Sequence, residues 1–149
     1  MKTPSEIAAV RPMPKTFRLC VCVKADGPRA AECLHHVALS LVSPDEQTIS
    51  VINPAYLAAT EGDCPAFHSA TPVHYAQGFV KMLFGLTVAQ ANALRIRLES
   101  HFGHTLYFRL RSGKRLINPT EQAYIRQAMT ELGITPLPDF DAYVEAYNW

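Results

Sequence analysis

The chain has 149 residues, 48% of them apolar and 18% charged, and a formal net charge of +1. These values match an ordinary globular domain able to bury a sizeable core, and they exclude a disordered chain. No apolar run approaches the ~18 residues needed to cross a bilayer. No apolar stretch followed by a cleavage site opens the sequence either, so a cytoplasmic protein with no membrane partner is expected.

In chain order, Met1–Thr16 carries Pro4, Pro12 and Pro14 and reads as an arm laid over the body. Phe17–Val23 is short and β-capable. Asp26, Gly27 and Pro28 make a turn into a helix running to about Leu41, with Ala30, Cys33, Leu34, Val37, Ala38 and Leu41 on one face. Thr48–Asn53 reads as a strand ended by Pro54, followed by a helical turn over Ala55–Thr60. Thr71 and Pro72 signal a second helix start, with Val73, Ala76, Val80, Leu83 and Phe84 at helical spacing.

The stretch from Thr87 to Leu132 carries the clearest signals. Thr87 is a good N-cap for a helix over Val88–Phe102, and Gly103 stands where such a helix ends. Thr105–Arg111 then alternates, with Leu106, Phe108 and Leu110 against Tyr107, Arg109 and Arg111, as one strand of a β-hairpin would. Ser112, Gly113 and Lys114 supply the turn, and Arg115–Ile117 can return as the second strand. Asn118 caps a further helix with Pro119 at its first position and Gly133 past its end. The tail starts extended at Pro136 and becomes a short helix whose Phe140, Tyr143, Val144 and Tyr147 form an apolar stripe. Such an aromatic end, closing on Trp149, should dock against the Thr87–Leu132 helices.

The expected fold is therefore α+β: a helix-dominated single domain with a β-hairpin between two helices and one or two further short strands. Residues 1–16 would be the N-terminal arm and 17–149 the single globular domain.

Two side-chain sets could carry function. Cys20 and Cys22 would project from one face of a strand, with Cys33 in the next helix and Cys64 in a loop. Four sulfur ligands suit tetrahedral zinc, although the spacing lacks paired C-x2-C knuckles. The alternative is that these cysteines pack as small hydrophobes. The second set is basic. Between Arg95 and Arg126 lie seven Lys/Arg against Glu99 and Glu121. Arg95, Arg97, Tyr107, Arg109, Arg111, Lys114 and Arg115 could form a face for nucleic acid or for a protein partner. The alternative is neutralisation by the chain's own acidic segments. His101 and His104 flank the Gly103 helix end, where imidazolium suits the helix dipole. No nucleophile elbow, P-loop, dinucleotide glycine fingerprint or H-E-x-x-H occurs, and no catalytic residue can be named.

Cys22, Gly27–Pro28, Cys33–Leu34, Asn53–Pro54, Cys64–Pro65, Phe67, Tyr75, Gly78, His101–Gly103, Tyr107–Arg109, Glu121–Gln122, Phe140–Asp141 and Tyr147–Trp149 together resemble a domain-of-unknown-function family of small proteins from anaerobic gut bacteria. The family pattern has a cysteine where this chain has Gly27, so a metal site in relatives would here lack that ligand or replace it with Cys20 or a histidine. Helix, Gly103-x-x-x-Tyr107-Phe108 and helix are also similar to Mor-type phage activators. That likeness ends after Gly133, where the chain turns acidic rather than entering a DNA-reading helix. The resulting expectation is a cytosolic binding or interaction module without catalytic activity. A nucleic-acid-associated regulator using the basic hairpin and a metal- or redox-responsive protein using the cysteines are the alternatives.

Overall fold

The structure, a computed structural model, describes residues 2–21 and 29–149. Cys22 and the Asp26–Pro28 turn lie outside the described residues. The chain gathers into two compact units, Met1–Val73 with Ala146–Trp149, and His74–Glu145. Among the described residues there are seven α-helices and a two-stranded antiparallel sheet, the helix-dominated α+β class expected from the sequence. No helix among them is long and apolar enough to cross a membrane.

In the first unit, α1 (Pro4–Val10) falls within the stretch expected as an arm. Thr3 and Glu6 form a reciprocal capping box at its start. Its Ile7 is buried with Leu34 and Tyr147, flanked by Phe17, Val37, Leu41 and Trp149. The expected helix to Leu41 is shorter and interrupted. A 3-10 turn covers Ala30–Glu32, Cys33 is extended (φ −94, ψ 122), and α2 spans Leu34–Leu39. The expected strand over Thr48–Asn53 reduces to one parallel bridge between Leu19 and Val51. Asn53 instead caps α3 (Pro54–Ala59) by accepting from the Ala55 amide at 3.0 Å.

The second unit corrects three sequence expectations. Val73–Gln77 is strand β1 rather than the start of a helix; Gly78 (φ +74) turns the chain, and α4 occupies only Val80–Phe84. A side chain at Gly78 would be strained, because a Cβ there would lie 2.9 Å from an Asp141 oxygen and 3.3 Å from the Arg111 carbonyl oxygen, on a backbone with φ +74. The tail is strand β2 (Ala142–Ala146), paired with β1, and not a helix. The expected hairpin is helix α6 (His104–Arg111). Over seven residues, alternation and helical spacing overlap. Leu106, Tyr107 and Leu110 fall on one side of a helix, and Tyr107, assigned to the polar face of a strand, is only 1% exposed. Burial of that tyrosine against Phe79, with ring centroids 5.8 Å apart, outweighs the β-propensity of Leu-Tyr-Phe. Ile117 still pairs, by a single antiparallel bridge to Ala76.

The two helices with clear end signals form as expected. In α5 (Val88–Phe102), Thr87 and Gln90 make a capping box, and Gly103 takes φ +83. In α7 (Pro119–Glu131), Asn118 and Glu121 do the same. Leu94 and Leu98 of α5 and Ile125, Ala128 and Met129 of α7 meet Phe79, Met82, Tyr107, Leu110 and Ile117 in one core.

Candidate interaction surfaces

The basic residues do not form one open face. Arg95 pairs with Glu99 at 2.6 Å, Arg115 with Glu121 at 2.8 Å and Arg126 with Asp139 at 3.1 Å, and Arg97 pairs with Glu131. The Arg95 guanidinium holds Glu99 below the usual carboxylate range, helped by His104. The remaining members separate as well. Tyr107 is in the core, Arg109 and Lys114 are exposed, and Arg111 is half-buried with its Nε lacking a hydrogen-bond partner among the described residues. Arg109 and Arg111 occupy the last turn of α6, where cations suit the helix dipole. The tail carboxylates are engaged elsewhere. Asp139 binds Arg126, Tyr143 and the Phe140 amide, Asp141 accepts from the Val80 and Lys81 amides, and Glu145 faces His74.

The cysteines divide differently. Cys20 and Cys33 are buried and Cys64 is half-buried. Cys20 and Cys64 share a small cluster with Leu57, Ile52 and Ala66, while Cys33 bridges to Ser69. The Cys20 amide donates to the His35 carbonyl and the Leu34 amide to the His68 carbonyl, which draws His35 and His68 together with ring centroids 5.8 Å apart. Phe17 stacks on His35 at 4.7 Å. His35 Nδ1 lies 2.5 Å from the Arg18 carbonyl. A carbonyl only accepts, so Nδ1 carries the proton and Nε2 is left with the lone pair in the neutral ring. Sequence spacing gave no hint of this His35–His68 meeting, because backbone pairing between distant segments creates it. Among the described residues, no three His, Cys, Asp or Glu side chains gather as a metal site would require.

A third surface carries neither charged nor sulfur side chains, and the sequence motifs do not mark it. Phe84, Val88 and Ile96 are 81%, 79% and 70% exposed. Val88, Asn92 and Ile96 fall at i, i+4 and i+8, one exposed stripe of α5 turned away from buried Leu94 and Leu98. No charged residue occurs between Lys81 and Arg95. That uncharged run was the available signal. It was masked because its buried half already explained it as an ordinary core helix.

A family model described as a family of unknown function (DUF6078) matches residues 1–149. The chain belongs to this family. No curated protein and no solved structure matches it. Several residues that carry the family likeness have structural work in this member of DUF6078. Gly78 and Asp141 build the start of α4, Glu121 completes the α7 cap, Tyr107 and Phe140 fill the second core, and Tyr147 and Trp149 pack in the first.

Proposed function

We propose that this protein is a non-catalytic interaction module whose contact surface is the Val88, Asn92 and Ile96 stripe on the outer side of α5, with Phe84. The exposure of Val88 and Ile96 on a well-capped helix, with Phe84 just ahead of it, carries the reading. Single apolar residues at a surface need no explanation, but three large ones within 13 positions, with Arg95 as the one charge among them and that charge paired with Glu99, are what a protein contact uses. Neutralisation of four arginines by the chain's own carboxylates weighs against the nucleic-acid alternative. The zinc and redox alternative depends on Cys22 joining Cys20, Cys33 and Cys64, and the described geometry adds no support for it.

An apolar fluorescent dye tests the reading. The native protein should enhance the emission of an anilinonaphthalene sulfonate, and the variant Phe84→Gln, Val88→Gln, Ile96→Gln should lose most of that enhancement. Equal enhancement by both proteins would overturn the assignment of this surface.

A further inference from the structure

We infer that the occupant of this face is a second copy of the same chain, paired antiparallel through α5 about a two-fold axis at Asn92. The inference rests on the interaction-module reading and adds the identity of the partner. Its first support is the symmetry of the stripe. Val88 and Ile96 each stand four residues from Asn92, so an antiparallel copy places Val88 against Ile96 of the partner subunit, and the reverse contact follows by symmetry. This is the self-complementary arrangement an isologous dimer requires.

The residue at the axis meets its own copy, and asparagine is suited to that. Its side-chain amide holds both a donor and an acceptor, so two copies can each donate to the other. A single asparagine between apolar neighbours also fixes the register of paired helices, at some cost in affinity. Asn92 is exposed, and the exposed Ala89 beside it is small, which lets two helices approach to the usual ~8–10 Å.

Charge supplies the second support. A two-fold axis sets each charge near its own copy; this face carries none from Met82 to Leu94, and Arg95, three residues past the axis, is balanced by Glu99 one turn on. These two ionic groups already neutralise each other at 2.6 Å. Phe84, Val88 and Ile96 offer roughly 400 Å² per copy, so two copies bury about 800 Å² through these side chains, short of the ~1,200 Å² at the lower end of standard interfaces unless neighbouring helix residues add to it. Area alone does not fix affinity, but an interface this small is expected to give a weak dimer, micromolar at tightest.

Sedimentation equilibrium of the full chain between about 1 and 500 µM tests this, a span that brackets such a constant. The native protein should pass from monomer to dimer. Val88→Glu alone and Ile96→Lys alone should each stay monomeric, as should Asn92→Asp, which would set two carboxylates against each other at the axis. The double variant Val88→Glu, Ile96→Lys should dimerise again, because only antiparallel pairing sets each new carboxylate against the partner's new ammonium. Dimers in the single variants, or no recovery in the double variant, would overturn the inference. A native protein monomeric at every concentration would also overturn it, while leaving the dye result to decide the module reading separately.

Discussion

Replacing Asp141 with alanine removes the side chain that starts α4. Its Oδ2 accepts from the Val80 amide at 2.8 Å and its Oδ1 from the Lys81 amide at 2.8 Å. Those amides are in the first turn of a five-residue helix whose preceding residue, Phe79, offers no side-chain cap. Hydrogen bonds to a charged acceptor contribute about 1.5–3 kcal/mol each, and measured losses of a helix cap run about 0.5–2 kcal/mol. Water can reach the Lys81 amide after truncation, which offsets part of the loss. The expected cost is therefore about 2–3 kcal/mol. For a chain of this length, that lowers the melting temperature by roughly 6–10 °C. Asp141→Asn keeps one neutral acceptor and should lose about half as much. Urea unfolding followed by far-UV circular dichroism would show the midpoint falling with an unchanged slope. A loss below ~0.5 kcal/mol for Asp141→Ala, the usual range for an exposed substitution, would refute the capping role.

Three further outcomes follow from the geometry. Gly78→Ala meets both a φ of +74 and an Asp141 oxygen at 2.9 Å, whereas Gly62→Ala meets a φ of +80 with nothing within 4 Å. Gly62→Ala should cost about 1–2 kcal/mol and Gly78→Ala distinctly more; equal losses in denaturant titrations would contradict this. Tyr147→Ala should cost about 3–5 kcal/mol, since the ring is buried with Ile7 and Leu34, and a change under ~1 kcal/mol in urea unfolding would mean that the tail end does not pack there. The Tyr143 hydroxyl, then the Phe140 amide and Arg126, hold Asp139 below the usual carboxylate range. A depressed folded-state pKa gives stability that is present above the unfolded value near ~3.9 and lost as pH falls through the folded one. Urea midpoints should therefore fall below about pH 4, and fall less in Tyr143→Phe; identical pH profiles would contradict the contact.

What the sequence revealed was local. Thr87, Asn118 with Pro119, and the glycines at 103 and 133 act within a turn of the backbone they cap, so the bounds of α5 and α7 could be read directly. The α6 helix could not, because its seven-residue pattern satisfies both periods and only the burial of Tyr107 decides between them. The tail was half legible. Phe140 joins the second core as expected, and Tyr143 reaches Arg126 of α7, but Tyr147 and Trp149 belong to the first core. Charge pairing was hidden for a different reason. Arg97 finds Glu131 across 34 positions, a partner that neither local charge counts nor helical spacing could identify. The exposed half of α5 was visible as letters, yet which half faces water depends on what the other half packs against.

If Phe84, Val88 and Ile96 are kept for a partner, the fold of their own chain should not need them. The stability of the variant carrying Phe84→Gln, Val88→Gln and Ile96→Gln decides this. The comparison belongs at about 1 µM, where a weak dimer is dissociated and cannot add to the native protein's stability. Exposed substitutions usually change stability by under ~0.5 kcal/mol each, and glutamine favours a helix more than valine does. The melting temperature should therefore stay within about 3 °C of the native value. A loss above ~2 kcal/mol, of the size seen for side chains removed from a packed core, would show that these residues hold the fold together and would contradict the account.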